Sequence, residues 1–347
     1  MAKFFSLLII LLLVQGASAA AKVDFQGAWY GTNYTLPFAH AYRAVGTNYG
    51  VTGLDMSKLK ETIDKDVYHL SRLGLNAVRL HLWDVEITDS QGNLLDNEHL
   101  ELLDYLIAAL DKKGISMMIT AQTNFGNGYP ERDTDPNNAY SYIYDKCSIH
   151  GNKKAQEAQR NYLTALAGHV NKYSKKRYSE DPTIVAIEIN NEPCHSGSDS
   201  DITSYINSMT NTLRKAGWKK PVLYNASHNF DHTQAIYNAD IDGVTFQWYP
   251  LGLVSGQTRH GNFLPYVDSY EIPFAHIKGF EETPKIVYEF DPADNLAGYL
   301  FPAMARTFRK EGFRWITQFA YDPLEIANRN TEYQTHYLNL AYTPSKA

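Results

Sequence analysis

Cysteine is nearly absent from this chain, which has only Cys147 and Cys194 among its 347 residues. A fold that depends on several disulfides is therefore excluded, and in an exported chain this count permits one bridge. Each cysteine follows a β-rich run. The sequence leaves two possibilities open: a disulfide between neighbouring loops, or two buried thiols.

A surplus of positive charge is also lacking, since 32 lysines and arginines face 38 aspartates and glutamates. The net charge of −6 and the pI near 6.1 argue against a nucleic-acid-binding surface. Hydrophobic residues make up 44% and charged residues 20% of the chain, which supports a sizeable core. Aromatic residues, at 13%, suit a carbohydrate-facing cleft because sugar C–H faces stack on rings, but they suit any large α/β enzyme nearly as well.

Long apolar runs are missing beyond the N-terminal region. Lys3 precedes an apolar run over 4–14, and the small residues at 16–19 form a cleavage site of the Ala-x-Ala type. Residues 1–19 are therefore predicted to be a cleavable secretory signal peptide, because the run is too short to span a membrane. We expect a secreted or periplasmic protein with no membrane anchor.

A glycine separates a helical pattern from a β-rich run at four places in the chain, namely Gly74, Gly114, Gly217 and Gly312. Glycine adopts the left-handed geometry that ends a helix, so each junction predicts a helix followed by a strand. The eight β-rich runs lie at 43–48, 76–82, 115–121, 183–189, 221–225, 243–248, 285–289 and 314–319. The helical patterns lie at 57–73, 99–113, 152–177, 201–216, 232–238, 271–279 and 296–311.

Eight alternating units over about 300 residues predict a (β/α)8 TIM barrel, a single α/β domain over residues 22–347. Residues 22–40 are expected to form a short N-terminal cap over the bottom of this barrel. A doubly wound open sheet is the alternative, but no glycine-rich phosphate-binding loop supports it. The eighth helix is expected to be short, or cut off as in a fragment of a longer protein.

The active site of such a barrel lies at the carboxyl-terminal ends of its strands. Glu192 follows the fourth β-rich run, and Glu289 ends the seventh. Burial at the edge of a core can raise the pKa of a carboxyl group and prepare it for proton transfer. The two glutamates therefore suggest a paired-carboxylate hydrolase. Glu188, inside strand four, is interpreted as a structural partner of Arg79.

No cofactor or metal is predicted. The histidines near the strand ends, His81, His228 and His232, do not show the spacing of metal ligands. The oxygen-rich stretch 133–137 lacks the full pattern of a calcium loop and is interpreted as a solvated turn. The remaining candidates at the strand ends are polar or aromatic: Asn48, Tyr49, Arg79, Trp83, Gln122, Asn124, Asn191, Gln247, Trp248, Tyr249, Gln318, Tyr321 and Asp322.

The motif Glu-Ile-Asn-Asn-Glu-Pro at strand four, with a glutamate ending strand seven, resembles the clan A glycoside hydrolases, nearest to family 5 with its cellulases and mannanases. The resemblance implies that Glu192 is the general acid/base and Glu289 the nucleophile of a retaining reaction. It also implies that Asn191 holds the 2-hydroxyl group of the sugar, that Tyr249 hydrogen-bonds the nucleophile, and that Arg79 stabilises the nucleophile as an anion.

Four further side chains, Trp83, Gln247, Trp248 and Tyr321, are candidates for contact with substrate. Two features depart from the family pattern. Gln247 stands where the family usually has a histidine, two residues before the strand-six tyrosine, and strand eight ends in Gln-Phe-Ala-Tyr where the family usually has a tryptophan. Both glutamates are present despite these departures, but the sequence does not identify the sugar that binds.

The environments of the two glutamates are expected to differ. Glu289, beside Arg79 and Tyr249, is expected to have a lowered pKa, whereas the less well paired Glu192 is expected to have a raised one. Such a difference would leave Glu289 ionised for attack and Glu192 protonated for transfer to the leaving oxygen.

The leading interpretation is a monomeric retaining glycoside hydrolase that cleaves β-linked glycans of the β-mannan or β-glucan type, or oligosaccharides derived from them. The alternatives are a non-catalytic carbohydrate-binding barrel and an exo-acting β-galactosidase or β-mannosidase of the same clan. The presence of both glutamates favours an enzyme. The sequence determines neither the sugar nor whether cleavage is endo or exo.

Overall fold

Eight parallel strands form a closed barrel in which each strand pairs with the next and the eighth pairs with the first. The computed structural model describes residues 25, 27–34, 56–123, 139–144, 146–227, 230–252, 259–295, 297–327 and 338–347. The strands are β1 Trp29–Asn33, β2 Ala77–His81, β3 Ser116–Gln122, β4 Ile184–Asn190, β5 Val222–Asn225, β6 Gly243–Trp248, β7 Ile286–Phe290 and β8 Trp315–Gln318. The predicted (β/α)8 barrel is confirmed.

Helices alternate with the strands and cover the outside of the barrel. They are α1 Met56–Arg72, α2 Asp84–Ile87, α3 Glu98–Lys112, α4 Tyr140–Ile143, α5 Lys153–Gly168, α6 Asp199–Lys215, α7 Thr233–Tyr237, α8 Leu264–Val267, α9 Leu300–Glu311 and α10 Leu324–Ala327, with short 3-10 helices at Ile149–Gly151 and Phe280–Glu282. No helix among these described residues is long and apolar enough to cross a membrane.

The sequence explains the long helices through one apolar face and a defined end. In α1 the residues Leu59, Ile63, Val67 and Leu70 repeat at helical spacing and are all buried. Helix α9 ends at Gly312, whose φ of 75° is the left-handed geometry predicted for a glycine at this position. These faces pack the helices against the barrel and leave the strand ends to form the site.

Seven of the strands lie within two residues of their predicted positions, but the first does not. Strand one is Trp29–Asn33, so the prediction that 43–48 is the first strand of the barrel is wrong, as is the prediction that the whole of 22–40 caps the barrel. Residues 43–48 lie outside the described residues. The true strand lacks a strong apolar run because it contains Gly31, where a Cβ atom would lie 1.8 Å from the Ala77 carbonyl oxygen.

Two helix predictions also differ from the structure. Residues 271–279, predicted to be helical, form turns. The helix predicted over 152–177 ends at Gly168 because the chain then reverses, with an isolated bridge between Val170 and Arg177 and a left-handed Lys175. Apolar spacing continues through such a turn, so periodicity alone does not mark the end of the helix.

The two ends of the barrel differ in chemistry. An apolar cluster fills the end at which the strands begin, with Ala77, Met118, Ala186, Leu223, Ile286 and Trp315 from the strands and Phe25 below them. Above this layer the interior becomes polar, with buried Arg79, Glu188 and Thr245. The polar end is the end at which the strands finish, where a barrel places its active site.

Candidate active site

Arg79 on β2 stands at the centre of the polar end of the barrel and is fully buried. Its Nη1 group donates hydrogen bonds to Asn33 Oδ1 at 3.0 Å and to Glu289 Oε1 at 3.1 Å. Its Nη2 group donates to Asn191 Oδ1 at 2.8 Å and also to Glu188. One guanidinium group therefore joins strands β1, β4 and β7 to β2 through charge-assisted contacts.

Glu188 is the structural partner of Arg79 that the sequence predicted. Its side chain is fully buried and accepts hydrogen bonds from Arg79 Nε at 3.1 Å, from Thr120 Oγ1 at 2.7 Å, from Asn225 Nδ2 at 3.3 Å and from Thr245. A carboxyl group surrounded by donors on every side is fixed in place and is closed to substrate. Its role is to hold Arg79 in place.

Glu289 is the next-to-last residue of β7 and is 6% exposed. Its two oxygens accept hydrogen bonds from Arg79 Nη1 at 3.1 Å and from the Tyr249 hydroxyl at 2.8 Å. Arg79, Tyr249 and Glu289 thus adopt the arrangement expected from the sequence. The arrangement presents a fixed carboxylate toward the interior of the barrel mouth.

The charge state of Glu289 differs from the expectation. Burial, reinforced by repulsion from the Glu192 charge, raises the pKa of Glu289 to about 8, although Arg79 and Tyr249 act in the opposite direction. The prediction of a lowered pKa is therefore wrong, because loss of hydration outweighs one shared arginine.

Glu192 follows β4 and contacts the Tyr288 hydroxyl through Oε1 at 3.0 Å. The same hydroxyl lies 2.7 Å from Gln247 Oε1. A tyrosine has one hydroxyl proton, so Tyr288 donates either to Glu192 or to Gln247 at any one time. Gln247 is thereby assigned a contact within the site, and its predicted contact with substrate stays a prediction.

The backbone of Glu192 is left-handed, with a φ of 41°. Residues other than glycine adopt this geometry at a cost of about 1–3 kcal/mol, and they do so mainly at functional sites. The left-handed backbone of Glu192 turns the chain just after β4, which ends at Asn190 at the rim of the barrel. A strained carboxylate at a strand end fits a functional role better than a packing role.

His81 on β2 is a neutral member of the site. Burial and the Arg79 charge hold the pKa of His81 well below its usual value. Its Nε2 atom lies 2.7 Å from Arg79 Nη1, and a guanidinium group is always a donor, so Nε2 accepts and Nδ1 carries the proton. His81 therefore helps to orient Arg79 without adding charge.

Comparison with known proteins agrees with this geometry. A sequence model of the cellulase family, glycosyl hydrolase family 5, matches residues 42–260. The chain belongs to glycosyl hydrolase family 5. The predicted resemblance is confirmed.

Curated relatives of this family 5 chain are named as mannanases. It is 27% identical over 231 residues to the probable mannan endo-1,4-beta-mannosidase F of Aspergillus flavus, covering 59% of this chain and 44% of that protein. It is 29% identical over 119 residues to mannan endo-1,4-beta-mannosidase 3 of Arabidopsis thaliana, covering 33% of this chain and 28% of that protein. The chain thus spans less than half the length of these curated relatives in the matched regions.

Solved structures with the same fold include two mannanases. The endo-1,4-beta-mannanase from Rhizomucor miehei has a TM-score of 0.60 at 19% identity, covering 85% of this chain and 87% of that chain. The hyperthermostable endo-1,4-beta-D-mannanase from Thermotoga petrophila RKU-1 has a TM-score of 0.66 at 15% identity, covering 92% and 97%. Identities this low establish the shared fold alone.

Three aromatic residues predicted to contact substrate are buried in the family 5 barrel. Trp248 is 6% exposed and stacks on Tyr270 with ring centroids 4.5 Å apart. Tyr321 is 1% exposed and donates a hydrogen bond to Asp66 at 3.2 Å. Trp83 is 3% exposed and packs behind His81 at 5.8 Å. Their contact with substrate stays a prediction.

Two members of the site were missed from the sequence. Asn33 was missed because β1 was predicted too late in the chain. Tyr288 was missed because strict alternation would point it away from the face of Glu289, whereas the β7–β8 pairing shifts register between Val287 and Phe290. A bulge of this kind lets neighbouring residues turn toward the same side. The sequence feature that could have indicated Tyr288 is its position directly before Glu289.

The other predicted positions are accounted for as follows. Gln122 is buried and accepts a hydrogen bond from the Tyr140 hydroxyl at 2.9 Å. Gln318 lies at the end of β8, and Asp322 follows it, both buried. The candidates that lie outside the described residues are Asn48, Tyr49, Asn124 and His228. Within the part of the chain that the structure describes, no cluster of three potential metal ligands is found.

Cys147 and Cys194 form a disulfide that joins the segment before α5 to the segment after β4. Cys194 is two residues beyond Glu192, so the bridge anchors the chain next to this glutamate. The closed loop spans a sequence separation of 47 residues. Such a loop restricts the unfolded chain enough to contribute about 4 kcal/mol to stability.

Loss of the bridge should therefore destabilise the barrel strongly. We expect Cys194→Ser to lower the free energy of unfolding by roughly 3–4 kcal/mol, measured by urea denaturation. Cys147→Ser is the matched variant and should give the same loss, whereas dithiothreitol should weaken the wild type but neither variant. Equal stability of the wild type with and without reductant would show that the bridge contributes nothing.

Proposed function

We propose that this family 5 chain is a retaining hydrolase of β-1,4-linked mannan-type glycans. The observation that carries the proposal is the Glu289 carboxylate, fixed by Arg79 and Tyr249 in the same barrel mouth as Glu192. The names of the curated relatives support a mannan rather than a glucan. This choice narrows the two glycan types that the sequence left open.

In the first step of the proposed reaction, Glu289 attacks the anomeric carbon and forms a glycosyl ester, while the bond to the leaving oxygen breaks. Glu192 gives its proton to that oxygen, so the aglycone leaves as a neutral alcohol. Arg79 and Tyr249 orient the attacking carboxylate, and Asn191, whose Oδ1 is fixed by Arg79, is proposed to hold the 2-hydroxyl group through its Nδ2.

In the second step Glu192 accepts a proton from water, and the resulting oxygen attacks the anomeric carbon from the opposite side. The ester bond breaks and Glu289 is released as a carboxylate. Two inversions give net retention. The first step needs the ionised form of Glu289, so the raised pKa of Glu289, about 8, predicts that kcat/KM rises with pH toward that value.

Substrate and stereochemistry test the proposal directly. We expect reducing ends to appear from linear β-1,4-mannan faster than from β-glucan or β-galactan, and ¹H NMR of early products to show the β-anomer first. Inverted product would contradict the retaining mechanism. Binding to mannan without any turnover would instead favour the non-catalytic carbohydrate-binding barrel, and release of single sugars alone would favour an exo-acting enzyme.

Glu192→Ala should separate the two chemical steps. Loss of the acid should slow mannan hydrolysis by about 10²–10⁴-fold. An aryl β-mannoside with a good leaving group needs no protonation, so its first step should survive and the intermediate should accumulate. Added azide should then restore turnover and give the β-mannosyl azide, detected by mass spectrometry and NMR. Unchanged hydrolysis of mannan would exclude Glu192 as the acid/base.

Export is proposed on the sequence alone, since residues 1–19 lie outside the described residues. Expression of the full chain should release a protein that starts near residue 20, measured by N-terminal sequencing. Retention of residues 1–19 in the released protein would contradict a cleaved signal peptide.

A further inference from the structure

The segment 338–347 packs against the barrel at the carboxyl-terminal end of β8. The Leu338 amide donates to the Ala320 carbonyl at 2.8 Å, and Asn339 Nδ2 donates to the Asp322 carbonyl at 2.7 Å. A Cβ atom on Gly298 would lie 2.4 Å from the Ser345 carbonyl oxygen, so the chain passes very close to the start of α9. These contacts bring the end of the segment to the polar end of the barrel.

Lys346, in this segment, makes a buried ion pair with Asp291. Its Nζ lies 2.9 Å from Oδ2 and 3.2 Å from Oδ1 of Asp291, and both side chains are fully buried. Asp291 is two residues beyond Glu289. An aspartate buried at this depth is costly unless a cation accompanies it, and Lys346 supplies that cation.

Hydrogen bonds connect this ion pair to the catalytic centre. Gln318 Nε2 donates to Asp291 Oδ2 at 2.8 Å, and the Gln318 carbonyl accepts from Asn33 Nδ2 at 3.1 Å. Asn33 Oδ1 in turn accepts from Arg79 Nη1 at 3.0 Å, and the same nitrogen donates to Glu289 at 3.1 Å. The path from Asp291 to the proposed nucleophile is continuous and buried at each step.

We propose that Lys346 is a positioning residue of the active site, which neutralises Asp291 and thereby keeps Gln318, Asn33 and Arg79 arranged around the Glu289 carboxylate. The inference rests on the proposed function for its kinetic consequences. Lys346 itself touches Asp291 rather than Glu289, so it acts through its neighbours.

The proposal predicts the direction in which the pKa of Glu289 changes when Lys346 is replaced. Without the Lys346 cation, the charge of Asp291 is no longer offset by Lys346 and disfavours the Glu289 anion, so the pKa of Glu289 should rise. The described titratable and charged groups that surround this region are Arg79, His81, Lys146, Glu188, Glu192, Tyr249, Arg259, Tyr288, Asp291, Asp294 and Lys346.

The experiment measures the pH dependence of kcat/KM for Lys346→Met. We expect the acidic limb to move upward by roughly 1 pH unit, and kcat below that limb to fall about tenfold, with KM for mannan oligosaccharides nearly unchanged. The double variant Asp291→Asn/Lys346→Met removes both charges and should return the limb to its wild-type position. Lys346→Arg keeps the cation and should stay close to wild type.

A control pair distinguishes positioning from stability. Arg214 and Asp242 also form an ion pair, but Asp242 directly precedes β6 and lies at the opposite end of the strands. Arg214→Met should lower the melting temperature without moving the pH profile. If Lys346→Met behaves like this control, or if the double variant keeps the shift of the single one, the proposal is overturned.

A readout that does not need turnover keeps this test separate from the proposed function. In protein labelled with ¹³Cδ-glutamate, the Glu289 signal is identified by its loss in Glu289→Gln and titrated by NMR. Lys346→Met should raise its midpoint, and the double variant should restore it. An enzyme inactive on every glycan would contradict the proposed function while this titration still decides the role of Lys346. An unchanged midpoint in Lys346→Met overturns that role.

Discussion

Replacement of Glu289 should abolish turnover while leaving the barrel folded. We expect Glu289→Ala to lose at least about 10⁴-fold in kcat, because no other described side chain is fixed by both Arg79 and Tyr249 for attack on the anomeric carbon. Azide can enter the space left by the side chain and attack in its place. The product should then be the α-mannosyl azide, inverted relative to the substrate.

Glu289 should also lower the free energy of unfolding at neutral pH, because its pKa is raised in the folded chain. Below pH 4.5 the carboxyl group is protonated in both the folded and the unfolded chain. Between 4.5 and about 8 the unfolded chain releases the proton whereas the folded chain keeps it, so stability falls as the pH rises through this window. Glu289→Gln removes this loss and should stabilise the barrel by roughly 1–3 kcal/mol at pH 7.

Urea denaturation of wild type and Glu289→Gln from pH 4 to 9 measures this effect. The two curves should meet near pH 4 and separate as the pH rises. A residual slope should remain in the variant, because burial also raises the pKa of Asp66, between Tyr34 and Tyr321, to about 7. Parallel curves across the whole range would show that Glu289 is ionised in the free enzyme, and an active Glu289→Ala would remove it from the mechanism.

Loss of Arg79 should damage both stability and catalysis. Arg79→Met leaves Glu188 and Glu289 buried without their common cation, and removal of one partner from a buried ion pair costs about 3–5 kcal/mol. Activity should fall by at least about 100-fold, because the Glu289 anion becomes harder to form. Denaturation and steady-state kinetics at 15 °C, where the variant remains folded, measure the two effects separately.

Glu188→Gln provides the matched comparison for Arg79. It removes the structural carboxylate but leaves the arginine for Glu289, so the folded variant should retain far more activity than Arg79→Met at a similar loss of stability. Additional loss of activity to the level of Arg79→Met would mean that Arg79 reaches its catalytic position only through Glu188. Retained activity in Arg79→Met would remove the arginine from the catalytic group.

The sequence predicts β2 to β8 well because glycine-ended amphipathic helices separate short apolar runs. It does not predict β1, where Gly31 and polar neighbours serve close packing against Ala77 rather than burial of large side chains. Local composition cannot reveal a strand whose stability comes mainly from the two strands beside it.

The site shows the same division. Glu192 and Glu289 are recognisable because each carboxylate interrupts the end of an apolar run. The orientation of Trp248 and Tyr321, and the turn that brings Tyr288 to face Glu192, depend on which way a side chain leaves the strand. The raised pKa of Glu289 depends on how deeply its carboxyl group is buried and on its distance from Glu192. Neither quantity can be predicted from the spacing of residues in the sequence.

The contacts of Arg79 form only when the barrel has closed. Its contacts reach Asn33 in the first strand and Glu289 in the seventh, which are far apart in sequence, and the first strand is held in place by the eighth. An open sheet with every helix formed would still lack the catalytic group. During refolding, the recovered activity should therefore be proportional to the fraction of molecules whose barrel has closed. The far-UV circular dichroism signal should instead follow the formation of helices.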